Sequence, residues 1–174
     1  MEQMEIKKVN ELDLEYLQAI SKKTFFETFA MSNSKENMDK YLSESLSSSQ
    51  LLKELNNENS QFYFASLSNN ILGYLKVNFG TAQTELEDIN ALEIERIYVL
   101  KEFHGKQIGQ LLYQKAIEIA KERDLNYVWL GVWEENPRVI NFYKKNGFVA
   151  FDKHLFQLGN DLQTDIMMKL KLND

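Results

Sequence analysis

Apolar and polar positions along this chain recur with two different periods, and the points where the period changes mark out strands and helices. Ile6 to Val9 reads as a first short strand. From about Asp13 to Phe29, the spacing of Leu14, Leu17, Ile20 and Phe25 is that of a helix with one apolar face. The break Met31-Ser32-Asn33-Ser34 ends it. Two further helical stretches follow, from Lys35 to about Leu46 and from Ser48 to Asn56, with Ser47, Ser48 and Ser49 available as caps for the second. Phe25, Phe26 and Phe29 read as core, because large apolar residues at helical spacing are usually buried. Gln61 to Leu67 and Ile71 to Phe79 alternate well and are separated by Ser68-Asn69-Asn70, which predicts a tight hairpin.

The second half continues in the same way. A central strand is predicted from about Ala91 to Leu100, where Ile94, Ile97, Tyr98, Val99 and Leu100 form a β-branched and aromatic run. Gly105 and Gly109 follow it, marking backbone that turns tightly or approaches a ligand closely. Ile108, Leu111, Leu112, Ala116, Ile119 and Ala120 then recur at helical spacing, so a helix begins near Gln107. Its free N–H groups point back into the turn and carry partial positive charge, which makes an anion site. Tyr127 to Trp133 alternates as a strand. Asn136 to Gly147 is a short helix with a capping Asn136, Pro137 at the first position and a closing Gly147. Phe148 to Leu158 and Thr164 to Leu172 close the chain as an antiparallel pair around Gly159-Asn160-Asp161. This order predicts an α/β (α+β) fold, a mixed, mostly antiparallel sheet with helices on both faces.

Composition narrows the possible chemistry. The 174 residues fit one domain, 1–174. With no cysteine there is no disulfide, thiolate metal site or thiol nucleophile, and two isolated histidines, His104 and His154, do not suggest a metal centre. No apolar run opens the chain, so neither a secretory signal nor a membrane span is expected, and a cytoplasmic enzyme is the simple reading. A net charge of −6 argues against nucleic acid as partner and suits a cationic substrate. The acidic residues Glu85, Glu87, Asp88, Glu93 and Glu95 crowd the run into the central strand, as an ordinary solvated loop or as an attractor of amines.

The Gly-x-x-x-Gly at 105 and 109 fits neither the GxGxxG of dinucleotide folds nor the P-loop of nucleotide hydrolases. The stretch LEIERIYVLKEFHGKQIGQLL does resemble the acetyl-coenzyme A loop of the GNAT family of N-acetyltransferases, R/Q-x-x-G-x-G/A. His104 takes the Arg/Gln place, Gln107 the first Gly place and Gly109 the second. NPRVINFYKKNGF, Asn136 to Phe148, resembles the family's second signature, N-x-x-A-x-x-F-Y-x-x-x-G-F, with a branched aliphatic residue where a small one is usual. The resemblance covers nearly the whole chain and implies a splayed central strand, acetyl-coenzyme A as cosubstrate and no metal. It places the pyrophosphate against His104, Gly105, Lys106, Gln107, Ile108 and Gly109, and the pantetheine arm along Ile97, Tyr98 and Val99. Asn136 is expected on that arm or as a helix cap, with Arg138 and Lys145 reaching coenzyme phosphates. Tyr143 is expected near the coenzyme sulfur, protonating the departing thiolate.

Acetyl transfer needs an amine lone pair, and deprotonating an alkylammonium of pKa near 10.4 at neutral pH costs roughly 4–5 kcal/mol, so a base or a water chain must help. Glu95 is the expected base and Glu93 the alternative, because a bulge in their strand would invert which of them faces the site. Within the family the pattern is most similar to PaiA-type polyamine acetyltransferases, which implies spermidine or spermine as acceptor. Another small amine, a peptide or protein N-terminus, and a non-catalytic coenzyme-binding regulatory module stay open, as does a homodimer.

Overall fold

The computed structural model describes residues 2–172; Met1, Asn173 and Asp174 lie outside them. Seven strands, β1 (Met4–Lys8), β2 (Ser60–Leu67), β3 (Asn70–Phe79), β4 (Ala91–Val99), β5 (Tyr127–Trp133), β6 (Val149–Leu158) and β7 (Asp161–Lys171), form one sheet in the order β1-β2-β3-β4-β5-β7-β6. Neighbours pair antiparallel except β4 and β5, which run parallel. The helices are α1 (Leu14–Phe29), α2 (Lys35–Glu44), α3 (Ser48–Leu55), α4 (Ile108–Glu122) and α5 (Pro137–Lys145).

Side chains alternate across the sheet and feed two cores. On one face Leu17, Ile20, Phe25 and Phe29 of α1 and Leu51 of α3 pack on Phe62, Phe64 and Tyr74. On the other, Leu112, Ala116, Ile119 and Ala120 of α4 pack on Leu75, Val77, Leu92 and Ile94, and Tyr143 of α5 joins them. The mixed sheet with helices on both faces is therefore as the sequence predicts. Phe26 departs from its expectation: it is 54% exposed, because one residue's rotation around α1 carries it off the stripe that buries Phe25 and Phe29. The closing pair also starts earlier than the alternation suggests, at Asp161. Ser68 and Asn69, both at positive φ, form a two-residue hairpin turn of the mirror-image type that matches strand twist.

Two irregularities in the centre of the sheet shape the rest of the molecule. β4 and β5 pair only from Ala91–Ile94 against Tyr127–Leu130; beyond that they diverge, β4 staying with β3 and β5 with β7. In the same place the β3–β4 register passes from Lys76↔Arg96 to Val77↔Ile94, so Glu95 is an extra, unpaired residue, a β-bulge. Among the described residues no helix is long and apolar enough to cross a membrane.

Candidate active site

The divergence of β4 from β5 opens a cleft of about 780 Å³, within the range of small-molecule sites. Residues from both sheet faces line it: Ile108, Gly109 and Gln110 of α4 at one end, Thr28 and Phe29 of α1 at the other. The cleft thus passes through the sheet. Its middle is walled by Glu95, Ile97, Tyr98 and Val99 of β4 and by Leu130 to Trp133 of β5. The facing edges of these strands make no ladder with one another, leaving main-chain groups for an extended ligand to pair with.

At the α4 end the turn is built for an anion. Gly105 takes φ +81 and Gln107, the residue before the helix, takes φ 63. No side chain caps α4, so the first-turn N–H groups remain unpaired at the positive end of a fifteen-residue dipole. His104 Nε2 lies 2.8 Å from the Val99 carbonyl oxygen, which only accepts, so Nε2 carries the proton and ties the turn to the end of β4. Arg138 and Lys145 stand exposed on the same rim. Lys106 is the one predicted contact that does not line the cleft; its ammonium sits 5.2 Å from the Phe103 ring centre.

The left-handed Gln107 gives a direct check on the turn. A non-glycine residue there is strained by roughly 1 kcal/mol, so Gln107→Gly should raise unfolding stability by about 0.5–1 kcal/mol and Gln107→Val should lower it. Urea denaturation measures both, and a valine variant as stable as the glycine variant would contradict the assigned backbone.

In the middle of the cleft Tyr143 is 2% exposed, its ring in edge contacts with Phe142, Phe148 and Tyr113 at 5.1, 5.2 and 6.3 Å. Burial pushes its phenol above the ordinary range, with Tyr113 adding to it, so the hydroxyl keeps its proton. Asn136 caps α5 by accepting from the Val139 N–H at 3.5 Å, a weak bond, and Gly147 closes the helix at φ +94.

The bulge decides which glutamate reaches the cleft. Glu95 lines it. Glu93 is buried away from it, accepting from Asn78 Nδ2 at 2.9 Å and from the Thr84 N–H at 2.8 Å. Glu95 pairs with Lys76 and lies 4.0 Å from Arg96, while Glu54 of α3 pairs with the same two cations. Burial alone would push the Glu95 carboxyl up, but the Arg96 guanidinium and Lys76 ammonium outweigh it and hold the carboxyl below the usual range. Sequence reasoning missed the far end of the cleft: Thr28, Phe29 and Trp133 come from elements separated along the chain, and the two rings meet at 5.4 Å only in the fold.

Residues 15–148 match the acetyltransferase (GNAT) family. The chain belongs to that family. An uncharacterized N-acetyltransferase of Lactobacillus delbrueckii subsp. lactis is 41% identical over 169 residues, 97% of this chain and 98% of the relative. A spermidine N(1)-acetyltransferase of Thermoplasma acidophilum is 28% identical over 86% of this chain and 90% of its own length. Among solved structures, the PaiA N-acetyltransferase of Thermoplasma acidophilum in complex with coenzyme A superposes with a TM-score of 0.79 at 26% identity, covering 97% of this chain and 99% of that one. This GNAT protein is an acetyl-coenzyme A-dependent N-acetyltransferase. The bare helix N-terminus, the cationic rim and the unladdered strand edges fit a coenzyme with a pyrophosphate and an amide-bearing arm.

Proposed function

We propose that the enzyme acetylates a primary amine of a small cationic acceptor, a polyamine such as spermidine or spermine. Its main support is the near full-length similarity to a spermidine N(1)-acetyltransferase, together with the aromatic walls Phe29 and Trp133 that suit a methylene chain carrying cations.

In this reading the coenzyme enters from the α4 side, its pyrophosphate on the N–H groups of Gln107 to Gly109 with Arg138 and Lys145 on the phosphates. The pantetheine arm runs along Ile97, Tyr98 and Val99, and a main-chain N–H there holds the thioester oxygen as it gains charge. The acceptor enters from the α1 side, so the two substrates meet in the gap of the sheet. Glu95 stands at the meeting point. A carboxylate held below its usual range keeps an alkylammonium proton poorly, so Glu95 serves best by orienting the amine and passing its proton to water. Tyr143 donates to the sulfur on departure.

A coupled thiol-release assay over spermidine, spermine, monoamines, amino acids and short peptides tests the acceptor. Polyamines should turn over best. Attraction to a multivalent cation is screened by salt, so kcat/KM for spermidine should fall between about 0.01 and 1 M ionic strength more than that for a monoamine of similar length. Turnover of peptides without polyamines would replace the acceptor reading and leave the coenzyme assignment standing.

A further inference from the structure

The carboxylates near the acceptor end of the cleft are not equivalent. Glu95 and Glu54 are matched by Lys76 and Arg96, so the formal charges of that group cancel and leave little pull on an incoming cation. Asp165 is different. It lies on β7 directly opposite Trp133 and leans over Gly131, both of which line the cleft. A Cβ placed on Gly131 would meet Asp165 Oδ2 at 3.4 Å, so the carboxylate lies against a residue of the cleft floor although Asp165 is not itself part of the lining.

Among the described residues the Asp165 carboxylate accepts no hydrogen bond and has no cation within 4.0 Å. The nearest basic group, His154, is its register partner on β6, yet His154 Nε2 turns instead to Glu85 Oε1 at 3.0 Å. The remaining groups that face it are Tyr98, whose phenol is pushed up mainly by burial and further by Asp165, and the Trp133 ring. Asp165 is itself partly buried, and burial raises its carboxyl above the ordinary range against an opposing pull from His154. A partly desolvated charge without a partner is unfavourable in the free protein and gains most from a cation that arrives with the substrate.

We propose that Asp165 is a specificity-determining residue that receives the remote ammonium of a polyamine whose reacting amine lies in the gap between β4 and β5. The inference rests on the cationic-acceptor reading above and assigns its charge recognition to Asp165 and not to Glu95. A monoamine has no group to place there and gains nothing from it.

The test is the near-isosteric Asp165→Asn variant, assayed with spermidine and with a monoamine of similar length, beside a coenzyme titration and a melting curve. KM for spermidine should rise about tenfold or more with kcat within about threefold, as expected for loss of a charge contact made before the chemical step. The monoamine's kcat/KM, the coenzyme affinity and the melting temperature should stay close to wild type. Equal losses for both amines would assign Asp165 a structural role and overturn the proposal, as would an unchanged spermidine KM. If the wild-type enzyme turned over no polyamine, the acceptor reading and this inference would fall together; wild-type turnover with an indifferent Asn variant sinks only the inference.

Discussion

Tyr143→Phe is expected to lower kcat by about ten- to a thousandfold while coenzyme affinity stays nearly unchanged, the pattern of a lost proton donor in the transition state. The phenol is buried among Tyr113, Phe142 and Phe148, and removing one oxygen leaves that packing in place. The size of the effect has two limits. A thiol of pKa near 8.5 leaves tolerably without help, which caps the loss. Burial also makes this phenol a weaker acid than usual, so as the proposed donor it would act by a hydrogen bond that strengthens as charge builds on sulfur, with the proton crossing only once the thiolate is equally desolvated. Single-turnover and steady-state kinetics with one acceptor decide the matter. Wild-type turnover in the variant would make Tyr143 a packing residue, and lost coenzyme binding would make it a structural one.

Gly109→Trp should weaken coenzyme binding by about a hundredfold or more, roughly 2.7 kcal/mol, without unfolding the protein. A Cβ at Gly109 meets only Val99 Cγ2, at 3.9 Å, so the backbone accepts a side chain. The residue lies in the first turn of α4 and lines the cleft, so a large side chain there projects into the space above the unpaired N–H groups. Isothermal titration with coenzyme A reads the loss directly. Undiminished affinity would move the pyrophosphate away from this turn.

Much of this was legible in the sequence, for local reasons. The cap, proline and closing glycine of α5 each act within a few residues, and Asn136, Pro137 and Gly147 stand where the pattern put them. The helix after the Gly105 turn starts within one residue of its expected place. What the sequence hid depends on partners far along the chain. Alternation cannot say which strand of a pair holds an extra residue, so the choice between Glu93 and Glu95 needed the register of β3. Lys76 sits in a strand whose other residues are mostly apolar, and the carboxylates of Glu54 from α3 and Glu95 from β4 make its burial tolerable. Phe26 was misjudged because helical spacing alone does not fix the edge of a buried stripe. Asp165 carried no signal at all, since its place beside the cleft depends on Gly131 and Trp133 of the neighbouring strand.

The short β4–β5 pairing has a consequence for how the protein behaves between turnovers. Four residue pairs join the ladder of β1 to β4 to that of β5, β7 and β6, so the molecule is seamed through its middle. An arm hydrogen-bonded to both lips of that seam would be a temporary eighth strand, and each catalytic cycle would knit and unpick the sheet. Amide exchange across 95–99 and 131–133 should then follow coenzyme saturation closely, and heat should open the empty enzyme first along this line.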